Sequence, residues 1–444
     1  PVSNDVDTGF QLPLNDVAGC RLHRVFEQLW IDVTATRFSD QQVPHNLCPG
    51  QTARVGRQNA HPPPWETLSN RLEFASMCAM EHSVQVALAA ALLAHIDEGT
   101  TDYGESVFHN PVENYTSPDR LHSELALFRN EPLFMGLSCL IPNPGDYFTE
   151  DDGAAPVLVA RGEDAVVRAF LNVCRHRGSR VAEGCGASEG RFVCPYHGWT
   201  YDLSGNLAGI PDARSFPGVA PVEHGLVQLP CTEQDGMIWV SAAPAEDKTS
   251  INVHAHLAGL GSELAHYEPG RYHHYETRVL HQKMNWKLAI DTFLEPYHFS
   301  VLHRTTVGPI FVPNVCLFHP FGRHLRETLP RRSIESLKTE PEAQWDLVRH
   351  TAIVYVLFPN TVFVMQADHI ETWRVYPVSN RVDEAKVILD FYIPEPAETE
   401  KARRHWDRNM DLTVRTVLEE DFPASEGMQR GFLSGAQNHL VFGR

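Results

Sequence analysis

The chain has 444 residues, 43% hydrophobic and 21% charged, which is enough apolar content for a sizeable core and excludes a disordered or fibrous polypeptide. Its 37 Lys and Arg against 56 Asp and Glu give a formal charge of −19, so nucleic acid and anionic membrane surfaces are not expected partners. The length suits two or three domains.

The opening PVSNDVDTGF carries neither a basic nor an apolar segment, so no secretory signal is expected. Nine cysteines, an odd and sparse set, argue against a disulfide framework and for a reducing cytoplasm. Residues 1 to about 115 read as an extension, broken by Pro62-Pro63-Pro64 and helical from Trp65 to His95. Its apolar run, Val84 to Ile96, falls short of the roughly 20 residues a membrane span needs. It reads instead as a buried amphipathic helix. His45, Cys48 and His61 lack metal-ligand spacing and are taken as structural.

From Ala155 to Ala243 short β-rich runs appear, APVLVAR, AVVRAFLNV, RFVCPYHGWTYDL and GMIWVSAA, separated by turn signals. They predict a mainly antiparallel β domain. From about Tyr272 onward helix and strand signals mix. Helices are expected over Met284–Leu302 and Glu398–Glu420, and strands at AIVYVLF, TVFVMQ, ETWRVYPV and AKVILDFYI. An antiparallel sheet with helices on one face fits this order.

The strongest chemical signal is NVCRHRG followed by FVCPYHGWTYDLSGNL. It gives Cys174-x-His176, then seventeen intervening residues, then Cys194-x-x-His197. Two thiolates and two imidazoles on two short loops make a four-ligand site, either tetrahedral zinc or a 2Fe-2S cluster with Cys on one iron and His on the other. The Cys-x-His step is unlike a zinc finger, and Gly178 and Gly198 permit tight turns that aim amides at sulfide. Both features favour the cluster. Two neutral imidazoles in place of thiolates raise its potential and suit it to accept and pass on electrons.

A second segment, NWKLAIDTFLEPYHFSVLHRTTVGP, carries Asp291, Glu295, His298 and His303 on an expected helix. Glu295 and His298 would lie about 60° apart and share a face. His303 would sit about 140° from His298, so both can meet one ion only if the helix bends, bulges or ends near them. Pro296 supplies a disruption. A ferrous ion that activates dioxygen is typically held by two His and one carboxylate, leaving positions open. Near the C-terminus, VRTVLEEDFPASEGMQRGF offers Glu420, Asp421 and Glu426. An acid at a helix C-terminus is unfavourable unless something positive lies near, which is consistent with an ion there.

The motifs CRHRG and CPYHGWTYDLSGNL resemble the Rieske domain of Rieske non-haem iron oxygenases, the family of aromatic ring-hydroxylating dioxygenases and Rieske monooxygenases. With ENYTSPDRLHSELALF as its usual opening, the resemblance runs from about Tyr115 to Phe442. It implies an α+β oxygenase α subunit. A partly helical N-terminal extension (1–114) would precede a Rieske 2Fe-2S domain with a leading helix (115–250). A catalytic helix-grip (START-like) domain with an antiparallel sheet (251–444) would follow.

The cofactors implied are a Rieske cluster on Cys174, His176, Cys194 and His197 and a mononuclear Fe(II) on His298, His303 and Asp421. The resemblance also implies a ring-like homotrimer in which one copy's cluster faces the next copy's iron. Glu295 would bridge His298 to the neighbour's His197, and Glu at this position is similar to enzymes that oxidise quaternary ammonium compounds. Asp291 either bonds near the iron or caps local structure.

Gly259-Leu260-Gly261 lacks the context of a dinucleotide site, so electrons must come from an NAD(P)H-dependent reductase, directly or through a ferredoxin. Arg175, Arg177 and Arg180 are candidates for docking the donor or for internal ion pairs. O2 and a small organic substrate, an aromatic compound or a quaternary amine, would be the reactants. The pocket should draw on residues 305–393, with Phe311, Phe318, Tyr355, Phe358, Phe363 and Trp373 as rings to hold the substrate. Two rival readings are an electron carrier without oxygenase activity and a zinc-stabilised module.

Overall fold

Alternation of side chains along a strand decides the architecture of the C-terminal half. In Thr351–Leu357 every residue is buried. Ile353, Tyr355 and Leu357 pack into one hydrophobic cluster, while Val354 and Val356 pack into another. Both faces are therefore covered, and such a strand reads as a continuous apolar run.

The computed structural model describes residues 80–444 except 154, 245–249 and 379. The triple proline, the first part of the helix expected from Trp65, and His45, Cys48 and His61 lie outside the described residues.

Thr351–Leu357 belongs to a seven-stranded antiparallel sheet. Its order is His273–Gln282, Ala385–Ile393, Ile370–Pro377, Thr361–Met365, Thr351–Leu357, His324–Pro330 and Leu317–Phe321. One face is covered by a long helical segment that begins at Glu400, with Trp406, Met410, Val417 and Phe422 in the shared core. The other face carries His82–Glu98, Val253–Leu257 and Leu260–His266. Helices thus pack on both faces, where the sequence pattern suggested one.

His82–Glu98 is the helix expected over the apolar run, buried along one side although its sequence is apolar nearly all round and not clearly amphipathic. Gln85, Leu88, Ala89, Leu92 and Leu93 are its buried stripe. It ends at Gly99, whose φ of 63° is the left-handed conformation open to glycine at little cost. There Thr100 N–H returns to His95 O (2.9 Å) and Gly99 N–H to Ile96 O (3.4 Å).

The cysteine-rich region is built of short antiparallel strands. A five-stranded sheet runs Gln228–Leu229, Val167–Leu171, Val157–Arg161, Asp146–Glu150 and Cys185–Ala187. A three-stranded sheet of Arg191–Val193, Thr200–Asp202 and Leu207–Gly209 carries the loop of Cys194 and His197, and another joins Cys231–Gln234, Met237–Ser241 and Pro132–Leu137. Among the described residues no helix is long and apolar enough to cross a membrane.

Candidate metal centres and active site

Two loops of matching hydrogen bonding hold the first donor set. Cys174 N–H donates to Ser179 O (2.7 Å) and Gly178 N–H to Cys174 O (2.9 Å). In the second loop Cys194 N–H donates to Trp199 O (2.8 Å) and Gly198 N–H to Cys194 O (2.9 Å). Gly178 and Gly198 have φ of 80° and 71°, the turn geometry for which glycine was expected. The His176 and His197 rings lie 4.7 Å apart. His176 stacks on Trp199 at 5.0 Å, and its Nδ1 is buried with no hydrogen-bond partner. That orphaned atom suits a metal ligand.

Both cysteines are buried, whereas His197 is exposed beside Tyr196. Burial pushes the Cys174 thiol up and the nearby Cys194 adds to this, against the Tyr201 hydroxyl 3.3 Å from its sulfur. A metal would reverse that preference, since the thiolate is the ligand. Of the three arginines, Arg180 pairs with Asp151 (3.3 Å), Arg177 lies 5.4 Å over the Tyr196 ring, and Arg175 is exposed.

The second donor set begins on a helix that stops early. Asn285 caps Trp286–Asp291 by accepting from Lys287 N–H (3.1 Å). The helix is anchored by Glu124, which is 1% exposed and accepts from Lys287 Nζ (2.6 Å), Trp286 Nε1 (2.8 Å) and Arg120 Nε (3.2 Å). After Asp291 the backbone tightens, with Phe293 N–H to Ile290 O and Leu294 N–H to Asp291 O. Pro296 then has no amide to continue it. The helix expected to Leu302 therefore ends at Asp291, and Glu295, His298 and His303 lie on the irregular stretch of turns and bends that follows.

That irregular path brings the His298 and His303 Nε2 atoms within 3.0 Å of each other. Asp421 Oδ1 lies 3.4 Å from the first and 3.1 Å from the second. With metal–ligand bonds of about 2.1 Å, donors at right angles lie about 3.0 Å apart, so the three fit one face of an octahedral ion.

The protonation pattern points the same way. His298 Nδ1 meets Glu295 Oε1 at 2.6 Å, and His303 Nδ1 meets Glu420 Oε2 at 2.7 Å. Each ring donates there, which leaves both Nε2 atoms as lone pairs facing Asp421. Three converging lone pairs repel unless a cation or proton sits between them. Burial lowers both imidazoles, but the neighbouring carboxylates outweigh it and raise His298 to about 9.

Asp421 is 6% exposed and does not end a helix. Glu400–Val414 passes through a π-helical stretch, Arg415–Asp421, into Phe422–Phe432. The wider turn accommodates Pro423, which has no amide to donate. The electrostatic argument from a helix C-terminus therefore does not apply. Glu420 is turned onto His303 and Thr306 (2.5 Å), a role the sequence did not suggest. Glu426 accepts from Lys283 N–H (2.9 Å), away from the donors.

His298 and Asp421 line a cavity of roughly 600 Å3 with Asp291, Glu295, Leu294, Phe318, Met428 and Phe442. Asp291 Oδ2 accepts from the Tyr115 hydroxyl (2.7 Å), while Oδ1 is buried without a partner. Burial raises this carboxyl from 3.8 to about 7, partly offset by Tyr115 and Lys287.

Of the six rings expected around a substrate, Phe318 alone lines the cavity. Tyr355 and Phe363 face the opposite side of the sheet, Trp373 donates to Glu371 (3.2 Å), Phe311 packs on Phe299 (5.6 Å), and Phe358 lies under Arg323 (4.3 Å). The walls come from residues 288–302, 421–428 and 437–444 more than from 305–393.

Residues 135–229 match the Rieske 2Fe-2S domain, and residues 269–444 match the catalytic domain of the ring-hydroxylating alpha subunit. This chain belongs to the Rieske non-haem iron oxygenases. Its relatives in the family include the glycine betaine monooxygenase oxygenase subunit of Chromohalobacter salexigens, 36% identical over 49% of this chain and 47% of that one. The match thus spans about half of that relative's length. Choline monooxygenase of Spinacia oleracea is 26% identical over 72% of each chain. A quaternary ammonium Rieske monooxygenase solved with L-carnitine superposes with a TM-score of 0.64 at 21% identity, covering 76% of this chain and 89% of that one. This Rieske oxygenase chain therefore has both the cluster domain and the oxygenase catalytic fold, which the electron-carrier and zinc-module readings do not explain.

Proposed function

We propose that the chain is the terminal oxygenase component of a Rieske system that hydroxylates a methyl or methylene carbon next to the nitrogen of a small quaternary amine. The observation that carries this reading is the convergence of His298 Nε2, His303 Nε2 and Asp421 Oδ1 at 3.0–3.4 Å on the wall of a substrate-sized cavity. Relatives named for glycine betaine and choline, and a cavity whose apolar walls carry the carboxyl groups of Asp102, Asp291, Glu295 and Asp421 against the single guanidinium of Arg444, favour a methylated cation over an aromatic compound.

Cys174 and Cys194 would hold the inner iron of the 2Fe-2S cluster, and His176 and His197 the outer one. His298, His303 and Asp421 would hold Fe(II). When bound, the cluster supplies single electrons and the ferrous ion activates dioxygen. The chain's own residues do the rest. Glu295 and Glu420 fix the two ligand imidazoles through Nδ1. The Glu295 side chain is 43% exposed, so it can also meet His197 of a neighbouring copy across a ring-like trimer. Asp291 holds a proton at the cavity wall. The apolar walls keep water from the reacting carbon.

In the net reaction the substrate gains one oxygen atom from O2, and two electrons and two protons reduce the other to water. The electrons come from a separate NAD(P)H-dependent reductase. A carbon hydroxylated next to nitrogen then expels the amine and leaves an aldehyde.

The test is a product screen with a generic reductase, in which trimethylammonium compounds compete with aromatic acids and hydrocarbons. Aldehyde release and a shortened amine, in step with NAD(P)H use, are expected. Hydroxylated aromatics with no amine turnover would refute the substrate class.

A further inference from the structure

The catalytic cavity has a wall that lies outside both stretches matched by the family, 135–229 and 269–444. Thr101 and Asp102 follow the helix His82–Glu98 and line the cavity alongside Cys316 and Phe318. They lie against the start of Leu317–Phe321, the edge strand of the seven-stranded sheet. Thr101 Oγ1 accepts from Cys316 N–H (3.1 Å), Asp102 N–H donates to Cys316 O (3.3 Å), and Asp102 Oδ2 accepts from Phe318 N–H (3.1 Å). The arm thus satisfies edge groups that would otherwise be open.

The arm is held at both ends. Upstream, Gln85 Oε1 accepts from Leu347 N–H (3.0 Å), Lys338 pairs with Asp97, and Leu88 and Leu92 sit in the core. Downstream, Phe108–Pro111 pairs antiparallel with His439–Phe442, whose residues also line the cavity. One carboxylate oxygen of Asp102 is fixed by a backbone amide, and the residue is only partly buried. That bond orients the carboxylate in the cavity wall before any ligand arrives, which lowers the ordering cost of an ionic contact there.

We propose that this N-terminal arm is part of the substrate site and that Asp102 is a specificity-determining residue, the counter-charge for the substrate's cationic nitrogen. The assignment rests on the quaternary-amine reading above. Methyl groups block hydrogen bonding to such a nitrogen, so recognition must come from charge and apolar contact. Asp102 supplies the charge, and Phe318, tied to it through the backbone, supplies an adjacent ring.

The test uses the full-length, metal-loaded chain and its Asp102→Asn variant, which keeps an oxygen acceptor for Phe318 N–H. Binding of choline and of its uncharged isostere 3,3-dimethylbutanol is measured by calorimetry, with the visible spectrum of the cluster as a check on folding. Choline affinity is expected to fall about fivefold to tenfold, with the isostere unchanged. In turnover KM for choline should rise by a similar factor at nearly constant kcat. Equal losses for both ligands, or none for choline, would overturn the assignment while leaving the quaternary-amine reading intact. A parent protein that binds and oxidises no trimethylammonium compound would overturn both.

Discussion

Replacing Asp291 by Asn should change how stability depends on pH. The carboxyl lines the cavity, takes the Tyr115 hydroxyl on Oδ2 at 2.7 Å, and has a buried Oδ1 with no partner. Burial raises its pKa from the ordinary 3.8 to about 7. The native chain therefore holds this proton at pH values where the unfolded chain has lost it. Stability falls as pH climbs from about 4 to about 7 and levels off above.

The whole penalty is about 4 kcal/mol, of which about 3 kcal/mol develops between pH 5 and pH 8. Asn is neutral throughout and keeps an acceptor for Tyr115. Urea titrations of both proteins at pH 5 and pH 8, followed by tryptophan fluorescence, should show the variant gaining about 3 kcal/mol on the parent at the higher pH. An infrared band of a protonated carboxyl that titrates near pH 7 should vanish in the variant. Parallel pH dependence, or an unchanged band, would refute the reasoning.

Two further variants test the residues behind the ligands. Glu295→Gln should keep its cluster spectrum and iron content while product formation falls about a hundredfold, because His298 loses its charged partner and a neighbouring copy loses the bridge; unchanged turnover, followed by product chromatography, would remove Glu295 from the electron path. Glu420→Gln should weaken Fe(II) binding about tenfold to a hundredfold by freeing His303, measured by competition with a chelator, with no effect on the cluster spectrum.

The grouping of Cys174, His176, Cys194 and His197 on two short facing loops was legible in the sequence because their spacing leaves little choice of neighbours. The β runs around them were equally plain, as were the central strands of the larger sheet. His298, His303 and Asp421 were harder. An unbroken helix over Met284–Leu302 would point the two imidazoles apart, and only the stop at Asp291 and the missing amide of Pro296 bring them within 3.0 Å. The helix expected over Glu398–Glu420 does not stop there, because the π-helical stretch Arg415–Asp421 carries it on into Phe422–Phe432.

Glu420 looked like a rival of Asp421. A ligand imidazole needs an acceptor for its second nitrogen, and that requirement was the available clue. The cavity walls could not be read locally. Tyr355 and Phe363 have the aromatic character of a binding site but face the other side of their sheet, whereas Asp102 reaches the cavity from a segment more than 200 residues away in sequence from Cys316. Side-chain alternation shows that a strand has two faces without showing which one meets the ligand.

Metal analysis of anaerobically purified protein, with electron paramagnetic resonance of its reduced form, tests the central claim most directly. The parent chain should carry about three irons and two sulfides, and Asp421→Ala should lose one iron while its Rieske signal stays unchanged. Two irons in both proteins, or zinc in a colourless chain, would contradict the account.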